Sequence, residues 1–532
     1  MNTPLTSLRL KALFLLAAGS YLPLPLHGAE FAFDLLPEAE NQQLGSTFAA
    51  VGDVDGDGTA DVAISDPSYL AEGLFGSGVV FIVSGADGSH LRTYLPEASV
   101  SSQYFGISLA ALDANGDGTI DLAVGSPGYA GETGYGTGTV RVYSGTDGSL
   151  LSAGFGTASS QFGGAIANAG DQNGDGADDL YVGAPMAFSN RGAVFVQSGS
   201  DGSILRTIQA DITFTTFGTS LAAVGDIDAD GKPDLAVGAP AYRVSGNYLG
   251  RVLLIRSSDD TTVTQLPGTG SSPRLAYTLA PAADANGDGV GDLLVGSYSG
   301  GTALLVSGTD LTTIRDLSIT GLPTFQPVNV GGGLDFDDDG VEDYLIGSPA
   351  LNTATTPNPS GGVRIISGLD QSTLFEQLAS APFTGLGSGM RPLPGFGFAF
   401  GENSLTDAET GGRGIGHFWS IPQEDTPPPP VDTDDDGIFD DVDVVISSIM
   451  DTTVGILGVN SSVPNRVDAT GTTLADRYAA LPAFNKKKPA QYLVAVTLLT
   501  LDLTKKGLLT TKEATRIVAA ATVGVIRGVL CR

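Results

Sequence analysis

Cysteine is almost absent from this chain: the single one, Cys531, stands beside the C-terminal residue, so no intrachain disulfide can staple the fold. Histidine is nearly as scarce, at three residues, His27, His90 and His417. A Ser-His-Asp or Cys-His constellation is therefore poorly supplied, and zinc, which asks for His or Cys, is a poor match. Positive charge is short as well, with 26 Lys and Arg against 59 Asp and Glu, a net charge of -33. Phosphate backbones are bound by clustered cations, so a nucleic-acid partner is excluded. Beyond the N-terminal segment no stretch has the length and freedom from charge of a membrane-spanning helix. No Gly-rich phosphate loop is found either; the glycines fall at turns.

Those glycines number 74 in 532 residues, and with few Met, Lys and Glu they favour β structure with many turns. At the N-terminus Arg9 and Lys11 precede an apolar run from Ala12 to Leu22, and small residues end the segment at Gly28 and Ala29. That is the layout of a signal peptide over residues 1–29 and implies a secreted or cell-surface protein.

One phrase then recurs. Its fullest form is FGTSLAAVGDIDADGKPDLAVGAP from Phe217 to Pro240, with relatives beginning near Phe48, Phe105, Phe162, Leu275 and Val328. The first Asp of each acidic run falls at Asp53, Asp113, Asp171, Asp226, Asp284 and Asp335, at intervals of 60, 58, 55, 58 and 51 residues. That is the length of one four-stranded propeller blade. Apolar segments flank each run, a third alternating strand follows (VVFIVSG at Val79, VRVYSG at Val140), and an Asp-Gly turn such as Asp87-Gly88 leads to a short fourth strand. After the sixth unit, residues 386–422 read as strands of a seventh blade that lacks an acidic run and a fourth strand. The segment from Glu30 resembles a fourth strand leading into the next unit, so the mature N-terminus is expected to complete the last blade and close the ring.

The acidic runs have the form D-x-[DN]-x-D-G-x-x-D. Oxygen-bearing side chains stand at positions one, three, five and nine: Asp53, Asp55, Asp57 and Asp61; Asp113, Asn115, Asp117 and Asp121; Asp171, Asn173, Asp175 and Asp179. The later three runs supply Asp226, Asp228, Asp230 and Asp234; Asp284, Asn286, Asp288 and Asp292; Asp335, Asp337, Asp339 and Asp343. Alternate spacing lets a turning loop aim three oxygens inward, and Gly at position six allows the sharp turn. Hard oxygen donors in this number suit Ca²⁺. The six loops hold 21 carboxylates. Two like charges about 4 Å apart repel by roughly 4 kcal/mol at an effective dielectric near 20, so a compensating cation is expected. Solvated Asp-Gly turns would explain one such loop, but not six in register. Asp178, Asp338 and Glu342 adjoin the loops and read as additional negative field.

The unit resembles the FG-GAP repeat of integrin α-subunit propellers. The residues that carry the resemblance are Phe162-Gly163 with Gly183-Ala184-Pro185, and Phe217-Gly218 with Gly238-Ala239-Pro240. Variants are Phe105-Gly106 with Gly125-Ser126-Pro127, and Gly347-Ser348-Pro349; the first unit departs with Ser65-Asp66-Pro67 and the fifth with Leu275-Ala276 and Gly296-Ser297-Tyr298. The resemblance implies an all-β, seven-bladed β-propeller over residues 30–421. It also implies structural Ca²⁺ in the hairpin loops and partners bound mainly on the opposite face and rim.

Residues 422–431, with four consecutive prolines, read as a stiff linker. Residues 432–532 read as a small, partly helical module, with helices at 474–483 and 512–526; from residue 444 onward it holds 11 Lys and Arg against 5 Asp and Glu. Asp432, Asp434, Asp436, Asp440 and Asp443 fit an EF-hand-type calcium loop closed by Asp. This loop resembles that of dockerins, which attach secreted proteins to cohesin partners; a generic calcium linker or an acidic spacer fits it too. A second dockerin loop would fall at 502–513, where Lys506 stands in place of an oxygen ligand. The functional expectation is a non-catalytic adhesion or interaction scaffold with a protein or polysaccharide ligand. The alternative is a carbohydrate-active hydrolase or lyase using carboxylates on a propeller face.

Overall fold

The computed structural model describes residues 11–13, 30–36 and 43–420, apart from several segments between strands. In the C-terminal part it describes 453–456, 459–464, 477–478, 481, 489–506 and 508–530. The chain divides into two compact units, Met1–Pro422 and Gln423–Arg532.

The first unit is a seven-bladed β-propeller. Six blades are four-stranded antiparallel sheets whose strands follow one another in sequence. Blade 1 is Phe48–Gly52, Asp61–Asp66, Val79–Val83 and His90–Tyr94. Blade 2 begins at Ser108–Leu112, blade 3 at Ala165–Gly170, blade 4 at Ser220–Ala223, blade 5 at Leu275–Ala282 and blade 6 at Asn329–Leu334. Second strands such as Asp121–Ser126 are buried along their whole length, because a neighbouring blade covers each face. Fourth strands, on the rim, mix exposed and buried residues, as in Ile204–Gln209.

Blade 7 combines Leu386–Leu393, Gly397–Glu402 and Ile415–Ser420 with the N-terminal strand Glu30–Leu36. The register of closure pairs Phe31 with Trp419 and Phe33 with Phe418. Lys11–Leu13 lies antiparallel on the outer edge of Glu30–Leu36 as a fifth strand; the rest of residues 1–29 lies outside the described residues. Each first strand contacts the next around the ring, blade 7 to blade 1 included.

The core is correspondingly divided. Seven apolar clusters each lie between two successive blades, and Leu35 belongs to the one joining blade 7 to blade 1. The Phe of each FG pair is the wedge: Phe105, Phe162 and Phe217 are fully buried and bridge back to Gly78, Gly138 and Gly192 of the preceding blade. Leu275 and Leu386 take the same place in blades 5 and 7.

In the second unit, helices Pro489–Lys505 and Thr511–Leu530 pack together, and the hairpin Thr453–Ile456 with Val459–Pro464 packs on the latter. Tyr478, Val496, Leu503, Leu509 and Ile517 form its core. The helix expected at 512–526 lies inside Thr511–Leu530. Of 474–483, Arg477 and Tyr478 are helical, and all but Leu481 of the rest lies outside the described residues. Helix Pro489–Lys505 is a new finding: its Val, Leu and Thr content masks it in sequence, while Pro is well tolerated in a first turn. Residues 423–431 and the loop Asp432–Asp443 lie outside the described residues.

Candidate metal centres

All six acidic runs occupy the hairpin between the first and second strands of blades 1 to 6. In an antiparallel blade these loops share one face with the turns joining third to fourth strands; the other connections lie opposite. Their backbone is organised by the aspartates themselves. The position-one carboxylate accepts the N–H of positions five and six: Asp53 takes Asp57 at 3.1 Å and Gly58 at 2.9 Å, and Asp335 takes Asp339 at 3.1 Å and Gly340 at 2.9 Å. The position-five carboxylate accepts the N–H of position seven, as Asp57 does from Thr59 at 2.7 Å. These bonds curl the loop around its own carboxylates.

Three loops carry only carboxylates at positions one, three and five. Oxygens of Asp53, Asp55 and Asp57 lie within 4.8 Å of one another, as do those of Asp226, Asp228 and Asp230 and those of Asp335, Asp337 and Asp339. In the other three loops an asparagine amide donates to the position-five carboxylate: Asn115 to Asp117 at 3.0 Å, Asn173 to Asp175 at 3.1 Å, Asn286 to Asp288 at 3.0 Å. The donor set is oxygen throughout, which fits a hard divalent cation.

Position nine differs from the other three. Asp61, Asp121, Asp179, Asp234, Asp292 and Asp343 are buried. One oxygen of each accepts the N–H of position two, as from Val54 at 2.7 Å and Phe336 at 2.7 Å. The other accepts an N–H just after the third strand, as from Gly85 at 3.1 Å and Gly368 at 2.8 Å. Position nine thus clamps the loop to the third strand of its own blade. Burial pushes all six carboxyls above their usual range, Asp343 to about 6, against the lowering effect of those N–H bonds.

Neighbouring residues that sequence spacing left unassigned also serve the loops. Hydroxyls after the third strand reach the acids: Ser200 to Asp175 at 3.0 Å, Ser258 to Asp228 at 2.5 Å, Thr309 to Asp288 at 3.0 Å. Two acids read as additional field are latches between blades. Asp178 of blade 3 accepts the N–H of Asp113 in blade 2 at 3.1 Å, and Glu342 of blade 6 accepts the N–H of Ala283 in blade 5. Lys232 of blade 4 donates to the Gln172 carbonyl of blade 3 at 2.7 Å.

The FG-GAP repeat model matches residues 105–143 and 217–255, each running from the wedge position to the end of a third strand in blades 2 and 4. The chain carries FG-GAP repeats. Its FG-GAP region is similar to integrin alpha-5 of Xenopus laevis, at 33% identity over 227 residues, covering 39% of this chain and 21% of that protein. Integrin alpha-3 of Cricetulus griseus is 36% identical over 178 residues (30% and 17%), and integrin alpha-V of Gallus gallus 29% over 235 residues (40% and 22%). The chain thus matches about a fifth of the length of these relatives. Outside the FG-GAP blades, the described residues of the segment at 502–513 make other contacts. Asp502 lies in a helix and pairs with Lys506 at 2.9 Å, while Glu513 closes a capping box with Thr510.

Proposed function

We propose that this chain is an exported, calcium-stabilised recognition propeller that performs no catalysis. The six inward-curled acidic loops on one face carry the metal half of the reading. Asp53, Asp55 and Asp57, with their counterparts through Asp335, Asp337 and Asp339, would hold the ions, and Asn115, Asn173 and Asn286 would serve at position three of their loops. The position-nine aspartates would complete each site while clamping it to the third strand. Bound Ca²⁺ supplies positive charge that offsets the mutual repulsion of the carboxylates.

The recognition half is supported on the opposite face, where the second-to-third and fourth-to-first connections lie. Blade 4 extends a hairpin there, Arg243–Val244 with Asn247–Tyr248. Arg243 stacks over Tyr248 at 3.9 Å, and Arg274 lies 5.2 Å from both Tyr248 and Tyr298. The Tyr298 ring centroid is 4.7 Å from that of Tyr277. A ladder of alternating arginine and tyrosine suits a protein or polysaccharide ligand, since it offers flat apolar faces and charge with little side-chain freedom left to lose. Similarity to integrin α-subunits supports the same reading, and residues 1–29 would direct export. Asp432–Asp443 would add a calcium loop beside a C-terminal attachment module with a cohesin-like or surface partner.

Chelation tests the metal half directly. EDTA should lower the melting temperature of the full chain, and added Ca²⁺ in excess should restore it. A melt identical in EDTA and in millimolar Ca²⁺ would end the structural-calcium reading.

A further inference from the structure

The seven first strands surround an axial cavity of about 200 Å³, placed where those strands begin and so at the opposite end from the acidic loops. Its wall takes residues from every blade, from Thr47 of blade 1 round to Arg391 of blade 7. Most of its hydroxyl donors are already used. Ser108, Ser220 and Thr278 donate to the carbonyls of Gly163, Ala276 and Val328 in the next blade, at 2.8, 2.9 and 2.7 Å.

Two donors remain. Arg391 is the only charged side chain among the described residues lining the cavity. It has no hydrogen bond, ion pair or ring contact among the described residues. Arg391 is half-buried, and desolvation with no carboxylate to offset it pulls its guanidinium pKa down. By contrast Arg92, Arg206 and Arg364 are each tied to a carbonyl or carboxylate. The second donor is Ser388, whose hydroxyl is buried and without a hydrogen-bond partner. In an unbroken strand residues 388 and 391 would face opposite ways. A register shift between Leu386 and Met390 brings both to the cavity wall.

We propose that this axial cavity is a carboxylate-binding site, with the Arg391 guanidinium as the two-pronged anchor and Ser388 as the additional donor. A guanidinium fork matches the two oxygens of a carboxylate, and its single charge is neutralised by a monoanion. A dianion such as sulfate would leave one charge uncompensated there. The carboxylate can come from a free small acid or from an acidic side chain inserted by a partner. The site stands on its own geometry and does not depend on the metal or recognition readings above.

The test is calorimetric titration and thermal melting of the full, Ca²⁺-loaded chain with acetate, with a capped glutamyl peptide and with sulfate, at matched ionic strength. Acetate and the peptide should bind saturably and raise the melting temperature. Arg391→Lys should weaken both by at least about tenfold, because the fork is lost. Arg391→Met should abolish the response, and where that variant folds poorly the lysine variant carries the comparison. Peptide affinity about tenfold or more above that of acetate identifies a partner's side chain as the source; equal affinity identifies a free acid. No saturable response, an unchanged response in Arg391→Lys, or tighter binding of sulfate than of acetate would overturn the assignment.

Discussion

At position four of every acidic loop the backbone is left-handed, at Gly56, Gly116, Gly174 and Gly287 but also at Ala229 (φ +59°) and Asp338 (φ +57°). A non-glycine residue there costs about 1–2 kcal/mol, of which glycine recovers part because it loses more chain entropy on folding. Ala229→Gly should therefore stabilise blade 4 by roughly 0.5–1 kcal/mol, read as a higher melting temperature; a lower one would mean that the alanine methyl has a packing role. A second local cost sits at Asp66, where blades 3 and 4 have Ala184 and Ala239 and blades 2, 5 and 6 have Ser126, Ser297 and Ser348. Asp66 is buried, one of its oxygens has no hydrogen-bond partner, and burial pushes its carboxyl from 3.8 up to about 7. Between those values the folded chain keeps a proton that the unfolded chain has lost. Stability therefore falls as pH rises through that window, and the cost, up to about 4 kcal/mol, is complete only above pH 7. Asp66→Ser should accordingly raise the melting temperature more at pH 8 than at pH 5. Equal gains at the two pH values would show that the ionised carboxylate is not what destabilises this site.

The repeating element is best regarded as the joint between blades rather than the blade itself. Three joints are wedged by an FG phenylalanine, and two by a leucine, against a glycine of the preceding blade. At Gly138 (φ +78°) an added Cβ would stand 2.1 Å from the Phe162 carbonyl oxygen. Gly138→Ala should thus destabilise by more than about 2 kcal/mol, through backbone strain and a clash that only separation of blades 2 and 3 can relieve. Denaturant unfolding measures it, and a loss under about 0.5 kcal/mol, the range of an ordinary surface change, would refute the wedge. What the sequence reveals of such joints is partial for a physical reason. The loops were legible because their acidic spacing is local, within nine residues, and the blades because apolar alternation and Asp-Gly turns are local too. The clamp from Asp61 to Gly85, the latch from Asp178 to Asp113 and the reach of Arg206 to Asp260 at 3.0 Å join residues 24 to 65 positions apart. No local period encodes them, although the recurring Ser-Gly at the end of the third strands marked where the clamp lands. Arg391 was equally invisible, since an arginine in a strand says nothing of an axis that seven blades must assemble to create.

At the scale of the molecule, the decisive contact is the one between the two ends of the propeller. A propeller built only of sequential four-stranded blades would leave Ile415–Ser420 as an open edge and the last joint unsealed. Here Glu30–Leu36 occupies that edge, and Leu35 enters the cluster between blade 7 and blade 1 together with Phe48 and Phe418. Closure couples all seven joints, because no blade can leave without breaking two of them. A chain beginning at residue 43 should therefore lose more than one strand's worth of stability. It should melt at a lower temperature and less steeply, as fraying can then start from blade 7, and it should aggregate through the freed strand edge. A synthetic peptide of residues 30–36 should partly reverse both effects in a concentration-dependent way. If the truncated chain melted as sharply and as high as the full one, closure would contribute nothing, and each blade would have to be stable on its neighbours alone. The C-terminal unit makes the converse comparison, because none of its described strands joins a blade. Deleting residues 432–532 should leave the melt of the propeller unchanged. A loss there as large as that caused by removing the N-terminal strand would show that the two units fold as one.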